Sequence, residues 1–264
     1  MNACLKQQHF PDHWKKAVIL PIPKPQKDLI FATSYRPISL LPSLGKLLEK
    51  IILTRLKNSI NKCIIKEQFG FRERHSTVLQ LAKIIDDITK KFNLNQSTSM
   101  IALDIERAFD TVWHSALIAK MVQLNIPNYL VKLTISYLRN RSFQVKVNKT
   151  LSEIKKIPAG VPQGSLLSPT LFTIFINDIP KTTNTELSLF ADDTAIKASS
   201  FKINKSFEYI QRHITILETY YQKWKIKINA DKSKSIYFTK KRKDTKTIDL
   251  KFYNNINNEK TVIS

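Results

Sequence analysis

The stretch LSLFADDTAIKAS, residues 187–199, alternates apolar and polar residues on both sides of two adjacent aspartates. A period of two is the pattern of half-buried strands. Two such runs around a turn-favouring Asp pair predict a β-hairpin with Asp192 and Asp193 at its tip. Upstream, SMIALDI (99–105) reads as another short strand, with Ile101, Leu103 and Ile105 on one face and Ala102 and Asp104 on the other. If the two segments are neighbours in one sheet, three carboxylates converge. Like charges gathered in that way are costly unless a cation neutralises them. Hard oxygen donors suit Mg²⁺, with Mn²⁺ as the alternative, bridging to a substrate's phosphates. Two such ions can clamp the attacking and leaving oxygens of a phosphoryl transfer. The ordinary alternative is a solvated turn, because Asp is a good turn residue in its own right.

Company strengthens the chemical reading. PAGVPQGSLLSP (158–169) holds Gly160 and Gly164, two of only 4 glycines in the 264-residue chain. Two glycines so close mark a backbone that needs unusual dihedrals or the close approach of a ligand. Gln163 between them offers both a donor and an acceptor, suited to a nucleotide or a template base.

The chain carries 43 Lys and Arg against 21 Asp and Glu, a formal charge of +22. That balance favours a polyanionic partner, since phosphates repay cationic side chains by releasing counterions. The run YYQKWKIKINADKSKSIYFTKKRK (220–243) mixes rings with cations, as a surface that tracks a nucleic-acid strand would. Cys4 and Cys63 are far apart with no metal-ligand spacing, which supports neither a zinc site nor a disulfide framework. No apolar run approaches the roughly 18 residues of a membrane span and no signal peptide is legible at the start, so the expectation is an intracellular protein without membrane contact. KKRK (240–243) reads as a solvated charge run rather than an import signal.

Along the chain, Pro21, Pro23 and Pro25 predict an extended or edge segment. Helices are expected from Ser43 as N-cap, with Leu44, Leu47, Leu48, Ile51, Ile52 and Leu56 at helical spacing, and over 76–93, with Leu79, Ile84, Ile85 and Ile88 as its apolar side. Two more are expected from Ala108 to Leu124 and from Tyr129 to Arg139, broken at Pro127. Another starts at Ser168 and Pro169, and an amphipathic helix covers 204–226. SFQVKVN (142–148) begins a hairpin that leads into the glycine loop, and beyond Lys240 the chain becomes polar and loses apolar periodicity, the pattern of a frayed end.

ALDIERAFDTVWH (102–114), AGVPQGSLLSPTLF (159–172), LFADDT (189–194) and INADKSK (228–234) stand in the order and at about the distances of the palm motifs of reverse transcriptases. PIPKPQKD, SYRPISLLPSLGKLLEKIILTRL and QFGFRERHST resemble the fingers region of non-LTR, LINE-type retrotransposon enzymes, most like the jockey group. The resemblance runs from about Asn2 to Lys240. It implies an α/β (α+β) right-hand polymerase fold whose palm is an antiparallel sheet backed by helices, with 1–97 mainly fingers, 98–240 mainly palm and 241–264 a truncated junction. The thumb, and the endonuclease of full-length relatives, are expected to be missing.

The resemblance implies an RNA-directed DNA polymerase that joins dNTPs to a DNA primer on an RNA template. Asp104 and Asp192 would bind two Mg²⁺ ions, with Asp193 in the same acidic cluster. Phe109 would exclude the ribose 2′-OH, although a core phenylalanine fits the same spacing. Gln163 and Gly164 would line the nucleotide pocket, Lys24 and Arg36 would grip the triphosphate, and Lys232 would protonate pyrophosphate. Asp110 and Arg72 match positions of support. Action at nuclear DNA is implied by the resemblance only. Two alternatives stay open: a truncated, non-catalytic nucleic-acid-binding remnant of such an enzyme, and an RNA-templated RNA polymerase, which the bulky Phe109 disfavours.

Overall fold

A computed structural model describes residues 1–241, 250–254 and 259–263. In chain order the elements are α1 (Asn2–Lys6), β1 (Lys16–Pro23), β2 (Tyr35–Leu40), α2 (Ser43–Ile60), α3 (Thr77–Asn93), β3 (Ser97–Ile105), α4 (His114–Gln123), α5 (Asn128–Leu138), β4 (Ser142–Val147), β5 (Thr150–Leu151), β6 (Lys155–Lys156), α6 (Ser168–Phe175), β7 (Glu186–Phe190), β8 (Asp193–Ser200), α7 (Ile203–Trp224), β9 (Ile228–Phe238), β10 (Leu250–Asn254) and β11 (Glu259–Ile263). They fall into two compact units, each built from two stretches of chain: Met1–Ile64 with Phe109–Phe175, and Ile65–Ala108 with Ile176–Ser264.

The first unit contains a mixed sheet in the order β2-β1-β4-β5, with β6 also on β4. β1 pairs antiparallel to β2 and parallel to β4. The prolines of β1 therefore lie in a strand with neighbours on both sides rather than in an edge strand. They are tolerated because β4 reaches only as far as Ile19, so Pro21 and Pro23 sit where one flank is open and no N–H is needed. The helical core is a stripe of Leu48, Ile52 and Leu56 from α2, with Leu117 and Met121 of α4, Leu130 and Leu133 of α5 and Phe172 and Phe175 of α6, all buried. Leu44 and Leu47 are half-exposed instead, because the buried side of α2 runs through Gly45, Leu48, Glu49, Ile52 and Leu56. Pro42, not Ser43, occupies the N-cap of α2. Helix α4 starts at His114 rather than Ala108, because the Phe109 and Val112 carbonyls accept from Val161 N (2.7 Å) and Gly160 N (2.9 Å) instead of continuing a helix.

In the second unit β7-β8-β3-β9 form a wholly antiparallel sheet. Helix α7 covers one face, where Ser206 Oγ meets Ser99 Oγ of β3 at 2.7 Å. It does so with Phe207, Ile210, Ile214, Leu217 and Tyr221 buried, as its periodicity predicts. Helix α3 covers the other face, which carries Met100 and Lys197 in register. Its orientation differs from the expected one: Leu79 and Ile85 are exposed, while Gln80 and Ile88 are buried. The reason is electrostatic. Lys197 is buried in the sheet and needs counter-charges, which Glu186 of β7 and Asp87 of α3 (2.6 Å) supply, and this turns α3 with a polar edge inward. Strands β10 and β11 pair with each other where a frayed end was expected, and the Gln211 amide of α7 clasps Lys251 through N–H and C=O, at 2.9 and 2.7 Å. Arg242 and Lys243 of the KKRK run lie outside the described residues. Cys4 and Cys63 form no disulfide among the described residues, and no described helix is long and apolar enough to cross a membrane.

Candidate active site

The three acids belong to the second unit. β3 and β8 pair through Ala102↔Ala195 and Leu103↔Thr194, so one further step of the same register sets Asp104 opposite Asp193. Phe190↔Asp193 closes β7 and β8 around a two-residue turn, Ala191–Asp192. The expected convergence is thus the direct outcome of sheet register. Burial pushes the Asp192 carboxyl up and the negative charge of Asp104 adds to the rise, against the pull of its own backbone N–H. Asp193 is pushed up by burial and by the charges of Asp192 and Asp104. Asp192 and Asp193 both feel the charge of Asp104, and this repulsion is what a cation would relieve.

Lys232 supplies part of that relief. Strand β9 pairs Ala102 with Lys234 but Asp104 with Asn229, so a bulge in β9 loops Lys232 out. Its Nζ stands 3.6 Å from Asp104 Oδ2, and Ser233 Oγ, held by Asn229 O at 2.8 Å, accepts from Asp104 N at 3.3 Å. Among the described residues no three His, Cys, Asp or Glu side chains form a self-sufficient metal cage. The donor set still fits Mg²⁺, which characteristically takes one or two carboxylates, keeps waters and shares substrate phosphates.

Beneath the turn lies a cleft of about 280 Å³ between α3 and the sheet, lined by Gln80, Leu81 and Ile84 opposite Leu103, Phe190 and Asp193. Nothing in the local sequence pattern marks it, because it depends on the inward turn of α3.

The other candidates lie in the first unit, apart from Lys232 and Arg72. The loop at 158–165 takes its shape from glycine: Gly160 and Gly164 have φ of +87° and +113°. A Cβ on Gly160 would stand 2.6 Å from Asp110 O, and one on Gly164 2.7 Å from Ser39 O. Gln163 O accepts from Ser39 N of β2 at 2.7 Å, and Gln163 Nε2 donates to Asp110 Oδ1 at 3.1 Å. Asp110 therefore helps to hold the loop. The loop is anchored from below by Glu49 of α2, whose Oε2 accepts from Ser165 Oγ (2.9 Å) and Leu166 N (2.8 Å). Burial pushes Glu49 up, while those bonds and the charge of Arg141 pull it back in part. Arg141 is 1% exposed, donates to Tyr137 O at 3.2 Å, and has no acceptor for Nε or Nη2.

Phe109 is half-buried with its ring 5.3 Å from Phe172, so it has a packing role as well as the candidate gating role. Arg36 lies opposite Ile22 on the β1–β2 hairpin, two residues before Lys24. Lys24 Nζ donates to Thr33 O at 2.7 Å. The hairpin thus brings two cations to one end. Between its strands, β4 and the glycine loop lies a mainly apolar cleft of about 450 Å³, lined by Pro21, Tyr35, Phe143, Ile157 and Gln163 among others.

Residues 22–260 match the reverse transcriptase (RNA-dependent DNA polymerase) family, and the chain belongs to it. Reverse transcriptases as a family use divalent metal ions. Within the family this chain is similar to non-LTR retrotransposon polymerases. It is 38% identical over 247 residues to the RNA-directed DNA polymerase from mobile element jockey of Drosophila melanogaster, covering 90% of this chain and 27% of the relative. It is likewise 38% identical over 250 residues to the probable RNA-directed DNA polymerase from transposon BS of the same fly, covering 91% and 28%. The chain therefore spans about a quarter of the length of these relatives. In fold it is similar to telomerase from Candida albicans in complex with a telomeric RNA fragment, with a TM-score of 0.62 at 13% identity over 98% of this chain and 48% of that one. Truncated apo telomerase from Candida tropicalis gives a TM-score of 0.60 at 14% identity over 94% and 55%.

Proposed function

We propose that this chain copies RNA into DNA, joining dNTPs to the 3′-OH of a DNA primer. The observation that carries the reading is the sheet register that sets Asp104 against Asp193 beside Asp192, three acids whose repulsion calls for a cation. Asp104 and Asp192 would hold two Mg²⁺ ions, or Mn²⁺, with Asp193 completing the negative field. Bound there, the ions would supply charge neutralisation at the attacking and leaving oxygens of the transfer.

The remaining roles fall to the chain itself. Lys232, now beside Asp104, holds a proton within reach of the acidic cluster and would give it to departing pyrophosphate. Lys24 and Arg36 would grip the triphosphate. Gln163 and Gly164 present a fixed loop for the nucleotide, with Gln163 oriented by Asp110. Phe109, braced by Phe172, would exclude a ribose 2′-OH. The charge of +22 serves template and primer, so binding to primed RNA should weaken steeply with salt.

Primer extension on a primed RNA template with dNTPs and Mg²⁺ tests the reading, comparing the chain with Asp192→Ala. Extension by the parent that is lost in the variant is the expected result. Extension that survives Asp192→Ala removes Asp192 from the metal seat, and RNA binding without extension by either protein refutes the reading in favour of a binding-only role. Phe109→Ala should gain ribonucleotide incorporation, and no gain would remove the gating role.

A further inference from the structure

We propose that Gln68 and Gly70 are positioning residues that hold the acidic turn in its working shape, an inference that rests on the reading of the acids above. The turn needs holding. Ala191 carries φ of +58° at the first position of a two-residue hairpin turn, a conformation that glycine adopts freely and that a Cβ disfavours. Such a conformation persists only where its surroundings over-determine it.

The surroundings do so. Gln68 is 1% exposed, and both ends of its amide bond to the turn. Oε1 accepts from Ala191 N at 3.0 Å and from Gly70 N at 2.7 Å, while Nε2 donates to Ala191 O at 3.2 Å. Both peptide groups flanking the left-handed residue are thereby fixed, and the second of them leads directly into Asp192. The segment that bears the amide is knitted along β7 by Phe69 N to Leu189 O (2.9 Å) and Leu189 N to Glu67 O (3.0 Å). Arg72 Nη1 braces it from within, donating to the carbonyls of Ile65 (3.2 Å) and Gln68 (3.1 Å).

Gly70 completes the fit by having no side chain. A Cβ there would lie 2.0 Å from Ala191 N and 2.7 Å from Ala191 Cα, so any other residue displaces the turn. A glutamine without this task would leave part of its amide to water or to a distant partner. The three hydrogen bonds of this one go to the turn and to the glycine beneath it.

The test uses the full chain and its variants Gln68→Met, which keeps the volume and removes the amide, Ala191→Gly, the double variant, and Asp192→Asn. Circular dichroism establishes that each is folded. Steady-state extension then gives kcat and the KM for dNTP, and electron paramagnetic resonance of Mn²⁺ gives ion affinity without turnover. We expect Gln68→Met to lose about 10- to 100-fold in kcat and about tenfold in Mn²⁺ affinity, with KM nearly unmoved. Ala191→Gly should behave as the parent and should recover much of the loss in the double variant, since glycine adopts the turn unaided. A folded Gln68→Met with unchanged kcat and Mn²⁺ affinity overturns the proposal, as does a loss confined to KM. If Asp192→Asn keeps full extension and Mn²⁺ affinity, the underlying reading of the acids fails instead. Should Gln68→Met not fold, hydrogen exchange on the parent decides. The Ala191 amide must exchange as slowly as those of β8, and exchange at the rate of an open turn overturns the proposal.

Discussion

In the loop at 158–165 the left-handed backbone is taken by the glycines themselves, Gly160 and Gly164. At the acidic turn it is taken by Ala191, and the glycine stands across the contact at Gly70. The means of support differ in the same sense. The glycine loop hangs from a buried carboxylate, Glu49, with Arg141 buried nearby, whereas the acidic turn hangs from the neutral amide of Gln68. A charged anchor beside three carboxylates would add to their repulsion if anionic and would compete for them if cationic. An amide holds both the N–H and the C=O of one residue and leaves the local field alone. The first unit has no acidic cluster to protect and uses a charge.

The contrast can be broken most forcefully at the charged anchor. Glu49→Leu strands the Ser165 hydroxyl and the Leu166 N–H and leaves Arg141 uncompensated, so urea unfolding should show a loss of about 3–5 kcal/mol. Glu49→Gln, which retains an acceptor, should lose far less. A smaller effect comes from exchanging the two backbone solutions. Gly160→Ala drives a Cβ against Asp110 O at a φ of +87° and should cost about 2–3 kcal/mol. Ala191→Gly should stay within about 1 kcal/mol of the parent, on the stabilising side. Equal losses at the two positions would dissolve the distinction.

The smallest effect is in pH. Glu49 has a folded pKa raised above its ordinary 4.5, so its contribution to stability is complete below about pH 4.5 and is lost as pH rises through the folded value. Unfolding free energies of the parent minus those of Glu49→Gln should therefore fall over that rise and then level off. Gln68→Met has no ionisable group to remove, and its difference from the parent should be flat over the same range.

The acids and the glycine loop were legible in the sequence for physical reasons. Strand alternation puts Asp104 on a definite face, an Asp pair between two alternating runs makes a turn, and glycine in a chain that uses 4 of them signals backbone need. The amphipathic face of α7 was legible because an apolar sheet covers it. What escaped depends on partners remote in the chain. The clasp joins residues 123 apart and has no periodic signature. The inward turn of α3 follows from the burial of Lys197, which composition cannot reveal. The bulge that loops out Lys232 arises from a register shift between β3 and β9, although INADKSK had already drawn attention to that lysine. The late start of α4 reflects carbonyls claimed by the glycine loop.

Each unit is assembled from two stretches of chain with part of the other between them, and this has a consequence for the order in which the protein is made. More than a hundred residues follow β1 before its parallel partner β4 is synthesised, and β3 waits almost as long for β8. Neither core can close on the early half of the chain alone, and the long separations make the closing steps slow. During that interval the apolar stripe of α2 and the strands β1 to β3 are uncovered, so nascent chains halted near residue 140 should be the ones that chaperones retain and proteases cut.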